Sequence, residues 1–171
     1  MNIIPSAQIF DTGNYFCTWA TQGTWFPPKP GEDTDDTGCR YTRNGINARY
    51  LFAKDGALEK IPKDIRGDLI VVIDDGWDVP HDTKNPENIK AFGACVPDAE
   101  RFPGMGETPE ARLFGLSERV KRLGFRGLGL WIAVQVPGED RDSQLSLEAF
   151  TERWEKNARL CGEAGITYWK V

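Results

Sequence analysis

The apolar positions change period along the chain, and the changes mark strands alternating with helices. NYFCTWA, residues 14–20, is short and aromatic and predicts a strand. From Asn44 onward Ile46, Tyr50, Ala53 and Ala57 fall at helical spacing. LIVVI, residues 69–73, is apolar throughout, the pattern of a strand covered on both faces of a parallel sheet. Leu113, Leu116, Val120 and Leu123 predict a helix that Gly124 stops, since glycine accepts the left-handed conformation at a helix end. LGLWIAVQV, residues 128–136, predicts a third strand. Leu147, Phe150, Trp154, Ala158 and Cys161 then predict a helix ending near Gly165, and ITYWKV begins a fourth strand.

Strand and helix in alternation imply α/β architecture built from parallel β/α units with right-handed crossovers. The connections from helix to strand are short, GFRG after one helix and little more than Gly165 after another. Those from strand to helix are long and rich in Gly, Pro and Asp, at about residues 20–43, 76–107 and 137–144. Long loops beyond the carboxyl ends of parallel strands are where such folds assemble their sites. The chemistry is therefore sought at the strand ends.

Those ends carry Trp19, then Asp74-Asp75-Gly76-Trp77, then the stretch from Trp131 to Gln135, then Trp169-Lys170. Carboxylates and an ammonium form charge-assisted hydrogen bonds with hydroxyl groups, and indole faces cover the apolar side of a sugar ring. Each piece also has an ordinary structural reading. Paired aspartates cap helices and shape turns, and strand tryptophans pack against helices. The convergence of four strand ends favours a carbohydrate site. Asp74, Asp75 and Asp78 as oxygen ligands for Mg²⁺, on an open doubly wound sheet, form the alternative.

Composition narrows the classes. The chain has 171 residues, 40% of them apolar, with six Trp and nine Phe, enough for a core in one domain. A net charge of −5 and the absence of a basic block argue against a nucleic-acid partner. No apolar run approaches the ~20 residues that span a bilayer. MNIIPSAQIF lacks the layout of a signal peptide, so the expected location is cytoplasmic, or secreted with a leader removed. The four cysteines show no CxxC spacing and His81 is the single histidine, which argues against zinc. Cys17 and Cys161 read as packed thiols; whether Cys39 and Cys95 pair stays open.

IDDGW closing the second strand, RFPG at 101–104, LSERVKRLGFRGLGLWIAVQ and GITYWKV, in this order, resemble the catalytic barrel of the α-galactosidase and raffinose-synthase superfamily of glycoside hydrolases. The similarity runs over roughly residues 14–171. It implies that residues 1–171 form about the first half of a (β/α)8 TIM barrel, the N-terminal part of a retaining α-glycosidase that removes terminal sugars. It also implies that Asp74 and Asp75 hold sugar hydroxyls, that Trp19 lines the pocket and that Lys170 contacts the sugar. Trp77 and Trp131 complete the expected substrate-binding set.

The family's nucleophile is the aspartate two residues after that lysine, so it is expected just beyond Val171, and no catalytic residue is assigned within these residues. A retaining glycosidase needs two carboxylates ~5–5.5 Å apart, so this chain alone is expected to be inactive. Relatives often carry Glu-Pro-Glu after the third strand, where this chain has Ala133-Val134-Gln135-Val136-Pro137. No metal or cofactor is implied. The expected partners are a carbohydrate and the remainder of the barrel, from the same gene product or a complementing chain. A transglycosylase of the raffinose-synthase type and a non-catalytic sugar-binding or assembly fragment are the alternatives.

Overall fold

The computed structural model describes residues 13–25, 42–80, 95–133 and 146–171. Its frame is a four-stranded sheet of β1 (Asn14–Cys17), β2 (Leu69–Ile73), β3 (Gly127–Trp131) and β4 (Ile166–Lys170), in that spatial order. Every pairing is parallel. Helices α1 (Trp19–Trp25), α2 (Ala48–Phe52), α3 (Pro109–Arg122) and α4 (Leu147–Glu163) connect the strands, with a 3₁₀ segment at Lys63–Asp68 leading into β2. The chain is thus α/β with an all-parallel sheet.

Local chemistry sets the element ends. Thr108 caps α3 by accepting the Ala111 N–H, with Pro109 beside it in the first turn, and Ser146 caps α4 through the Ala149 N–H. Gly124 and Gly165, at φ 92° and 71°, turn the chain after these two helices into β3 and β4. The first expected strand is shorter than its sequence pattern. It ends at Cys17, and α1 begins at Trp19, because the Thr18 carbonyl accepts the Gln22 N–H at 2.8 Å. The helix expected from Asn44 is also cut short. Asn47 caps α2 at Tyr50, and Ala53 leaves it in an extended conformation (ψ 159°). Strand β3 starts at Gly127 and ends at Trp131; residues 134–136 of the expected strand lie outside the described residues.

Side chains alternate across the sheet. Phe16, Val71, Ile73, Leu128, Leu130 and Ile166 face the helices and share a core with Leu113, Leu116 and Val120 of α3 and Cys161 of α4. Tyr15, Cys17, Ile70, Val72, Asp74, Gly129 and Trp131 occupy the other face, as the register pairs Tyr15 with Ile70, Cys17 with Val72 and Val72 with Gly129. That face is concave. Three strand spacings of ~4.8 Å would hold flat outer strands ~14 Å apart. Yet the rings of Tyr15 and Tyr168 stack with centroids 5.5 Å apart, across β2 and β3. Gly129 makes room for this: a Cβ there would lie 3.1 Å from both Tyr168 and Val72.

A bulge decides what β4 shows to the concave face. Leu128 pairs with Ile166 but Gly129 pairs with Tyr168, so Thr167 is extra. Ile166 faces the core before the bulge; after it, Tyr168 and Lys170 face the concave side, and Trp169 returns to the core against Trp154. One inserted residue reverses the phase of all that follow.

Candidate functional site

The site is the carboxyl-end rim of the concave face. Asp74, the first residue past β2, is buried, and its Oδ2 accepts from Lys170 Nζ of β4 at 2.6 Å. The Cys17 thiol of β1 donates to the same oxygen at 2.9 Å, and Lys170 Nζ lies 3.6 Å from the sulfur. Asp74 Oδ1 accepts the backbone N–H of Asp75, and the Asp74 N–H donates to Thr18 Oγ1. Both carboxylate oxygens and the backbone N–H of Asp74 are therefore engaged, whereas the Lys170 side chain is 39% exposed. The carboxylate is the anchor and the ammonium is the group presented to solvent.

Asp75 points the other way, as alternation requires. Its Oδ2 lies 3.1 Å from Arg43 Nε, and its Oδ1 is buried with no hydrogen-bond partner among the described residues. Two adjacent carboxylates are thus tolerated because each meets a different cation on a different side. Burial raises the Asp75 carboxyl to about 6, with Arg43 opposing the shift and Asp74 adding to it. The hydrogen bond and charge of Asp74 hold the Lys170 ammonium above the usual lysine range. Burial, reinforced by the bond to Asp74, pushes the Cys17 thiol up.

The loop after β2 is pinned from below. Arg101, fully buried, donates to the carbonyls of Val79, Arg43, Ile46 and Pro80 at 2.6–3.1 Å. Gln22 of α1 ties the carbonyls of Thr42 and Asp75 together. Gly76, at φ 106°, brings the chain so close to Arg43 that a Cβ would lie 2.5 Å from its carbonyl oxygen. These contacts fix the Arg43–Asp75 pair.

The structure gathers Asp74, Lys170 and Trp131 on one face; Trp131 is half-buried and is the register partner of Lys170. Trp19 stands half-buried at the start of α1, its backbone N–H donating to the Cys17 sulfur. Trp77 is placed elsewhere than its sequence reading implied. It has no exposed surface, and its indole N–H donates to the Trp131 carbonyl at 2.8 Å, so it supports the rim from within the core. Among the described residues no group of three or more acidic, His or Cys side chains could hold a metal; Asp74 and Asp75 turn to Lys170 and Arg43 rather than to a common centre with Asp78. Cys95 carries a free thiol and is buried in the core, in hydrogen-bonding contact with Cys161, while Cys39, His81 and Gln135 lie outside the described residues.

Sequence reasoning missed Cys17, Arg43 and Arg101. For Cys17 the signal was present, since a core-facing Phe16 puts its neighbour on the other face. For Arg43 and Arg101 it was not: their partners lie 20 or more residues away, as with Arg101 and Val79 at a separation of 22. A shallow cavity of about 260 Å³ along β4 and the end of α4 is lined by Cys161, Tyr168 and Trp169 among others, and by none of the rim charges. No family model, curated protein or solved structure matches this chain.

Proposed function

We propose that these residues form the N-terminal half of a (β/α)8 barrel of α-galactosidase type, and that their rim is the sugar-binding half of a retaining α-glycosidase site. The observation that carries this is the Asp74–Lys170 pair, which joins β2 to β4 on the concave face beside Trp131. In this reading the exposed ammonium donates to vicinal hydroxyls while buried Asp74 holds it in place, and the Trp131 ring offers an apolar face. The two reacting carboxylates come from the rest of the barrel, in the same gene product or a complementing chain. One attacks the anomeric carbon and the other protonates the leaving oxygen.

Calorimetric titration of the 171-residue chain with galactose and with methyl α-galactoside tests the reading. Saturable binding is expected, weakened about tenfold or more in Lys170→Met, since a hydrogen bond to a charged group contributes ~1.5–3 kcal/mol. No saturable heat, or equal affinity in the variant, contradicts it.

A further inference from the structure

Cys17 has no role in the sugar reading, yet its position is chemically specific. Three strands deliver a thiol, a carboxylate and an amine to one point: Cys17 Sγ and Lys170 Nζ lie 3.6 Å apart, and both bond Asp74 Oδ2, at 2.9 and 2.6 Å. Cys17 is half-buried and Lys170 partly exposed, so a small dissolved oxidant reaches both; Cys95 and Cys161, by contrast, are buried in the core. Cys17 is a free thiol.

We propose that Cys17 and Lys170 are an oxidative modification site, joined under dioxygen through a single oxygen atom as Sγ–O–Nζ. The link fastens β1 to β4 across the concave face and withdraws the ammonium from the rim. Asp74 is the shared anchor that holds both groups in place. The ammonium gives up a proton to solvent, leaving a neutral amine beside the thiol. One oxygen atom of dioxygen then becomes bonded to both sulfur and nitrogen. The S–H bond and one N–H bond break, and those two hydrogens leave with the second oxygen atom as water. Thiol and amine together give up four electrons, the number that dioxygen accepts. Four equivalents of a small thiol reverse the change, forming two disulfides and water.

The geometry favours this outcome over the ordinary ladder of cysteine oxidation. A thiol oxidised beside an amine is captured before further oxygen adds, whereas an isolated one proceeds to sulfinic and sulfonic acids. The thiol is held protonated by burial and by Asp74, so oxidation depends on the carboxylate and is slow. The site stands on distances alone and does not rest on the sugar reading.

The test is exposure of the 171-residue chain to air-saturated buffer, followed by proteolysis and mass spectrometry. The expected product is a cross-linked peptide pair heavier by one oxygen and lighter by two hydrogens, with fragmentation mapping the link to Cys17 and Lys170. Excess small thiol abolishes it. Cys17→Ser and Lys170→Arg lose it, Cys161→Ser keeps it, and wild-type chain in concentrated urea never forms it, which separates proximity from misfolding of a variant. Oxygen added to Cys17 without a link to Lys170, a link that persists in Lys170→Arg, or no change at either residue overturns the proposal. The calorimetric result is read separately, so either idea fails without the other.

Discussion

Asp75 and Asp74 are neighbours that meet different cations, and burial makes the Asp75 carboxyl sensitive to pH. Asp75, raised by burial from 3.8 to about 6, binds its proton more tightly in the folded chain than in the unfolded one. Its contribution to stability is therefore full below about pH 4 and is lost as pH rises through about 6, amounting to ~3 kcal/mol for a shift of ~2 units. Asp75→Asn removes that slope. Urea titrations from pH 4 to 7 on wild type and variant are expected to diverge by this amount; parallel profiles count against the burial argument. Asp74→Ala strips Lys170 of its partner and Cys17 of its acceptor, with an expected loss of ~1–3 kcal/mol, the Lys170 end being partly screened by water. Trp77→Phe tests the support beneath the rim. It keeps the buried ring but leaves the Trp131 carbonyl without its donor, an expected loss of ~1 kcal/mol in chemical denaturation.

At the scale of elements, the bulge at Thr167 reconciles core-facing Ile166 with Lys170 on the concave face four residues later. Deleting Thr167 removes the bulge but leaves Leu128–Ile166 and Gly129–Tyr168 as consecutive pairs, so ordinary alternation keeps Lys170 on the concave face opposite Trp131. The expected result is a folded chain that melts close to wild type, as Thr167→Ala also does, whereas an alanine inserted between Tyr168 and Trp169 turns Lys170 toward the core and lowers the melting temperature. Gly129→Ala addresses the sheet's curl. Its Cβ meets Tyr168 and Val72 at 3.1 Å, so a cost of ~1–3 kcal/mol is expected, with altered near-ultraviolet circular dichroism from the Tyr15–Tyr168 stack. The bulge also marks what the sequence could convey. LIVVI as a buried strand, the helices stopped at Gly124 and Gly165, and the gathering of Asp74 with Lys170 were all legible, because periodicity and left-handed glycines act locally. The ends of β1 and α2 were not, because the Thr18 and Asn47 caps override the apolar spacing. Nor was the burial of Trp77, which a position at a strand end had suggested would face the cleft.

For the molecule as a whole, the four strands leave β1 and β4 paired on one side only among the described residues, with helices packed on a single face of the sheet. A parallel sheet in that state offers edges to further strands. The proposed half-barrel would have them covered by the remaining β/α units, and the isolated chain is expected to associate as its concentration rises. Sedimentation velocity over a concentration series checks this, a strictly monomeric chain being the contrary result. The account's central claim is that the Lys170 ammonium, anchored by Asp74, is a hydroxyl-binding group on a carbohydrate rim. A crystal of this chain soaked in methyl α-galactoside tests it most directly. The account predicts a sugar on the concave face, with a hydroxyl within hydrogen-bonding distance of Lys170 Nζ and the ring against Trp131. A sugar bound elsewhere, or none on that face in crystals where it is open to solvent, would contradict it.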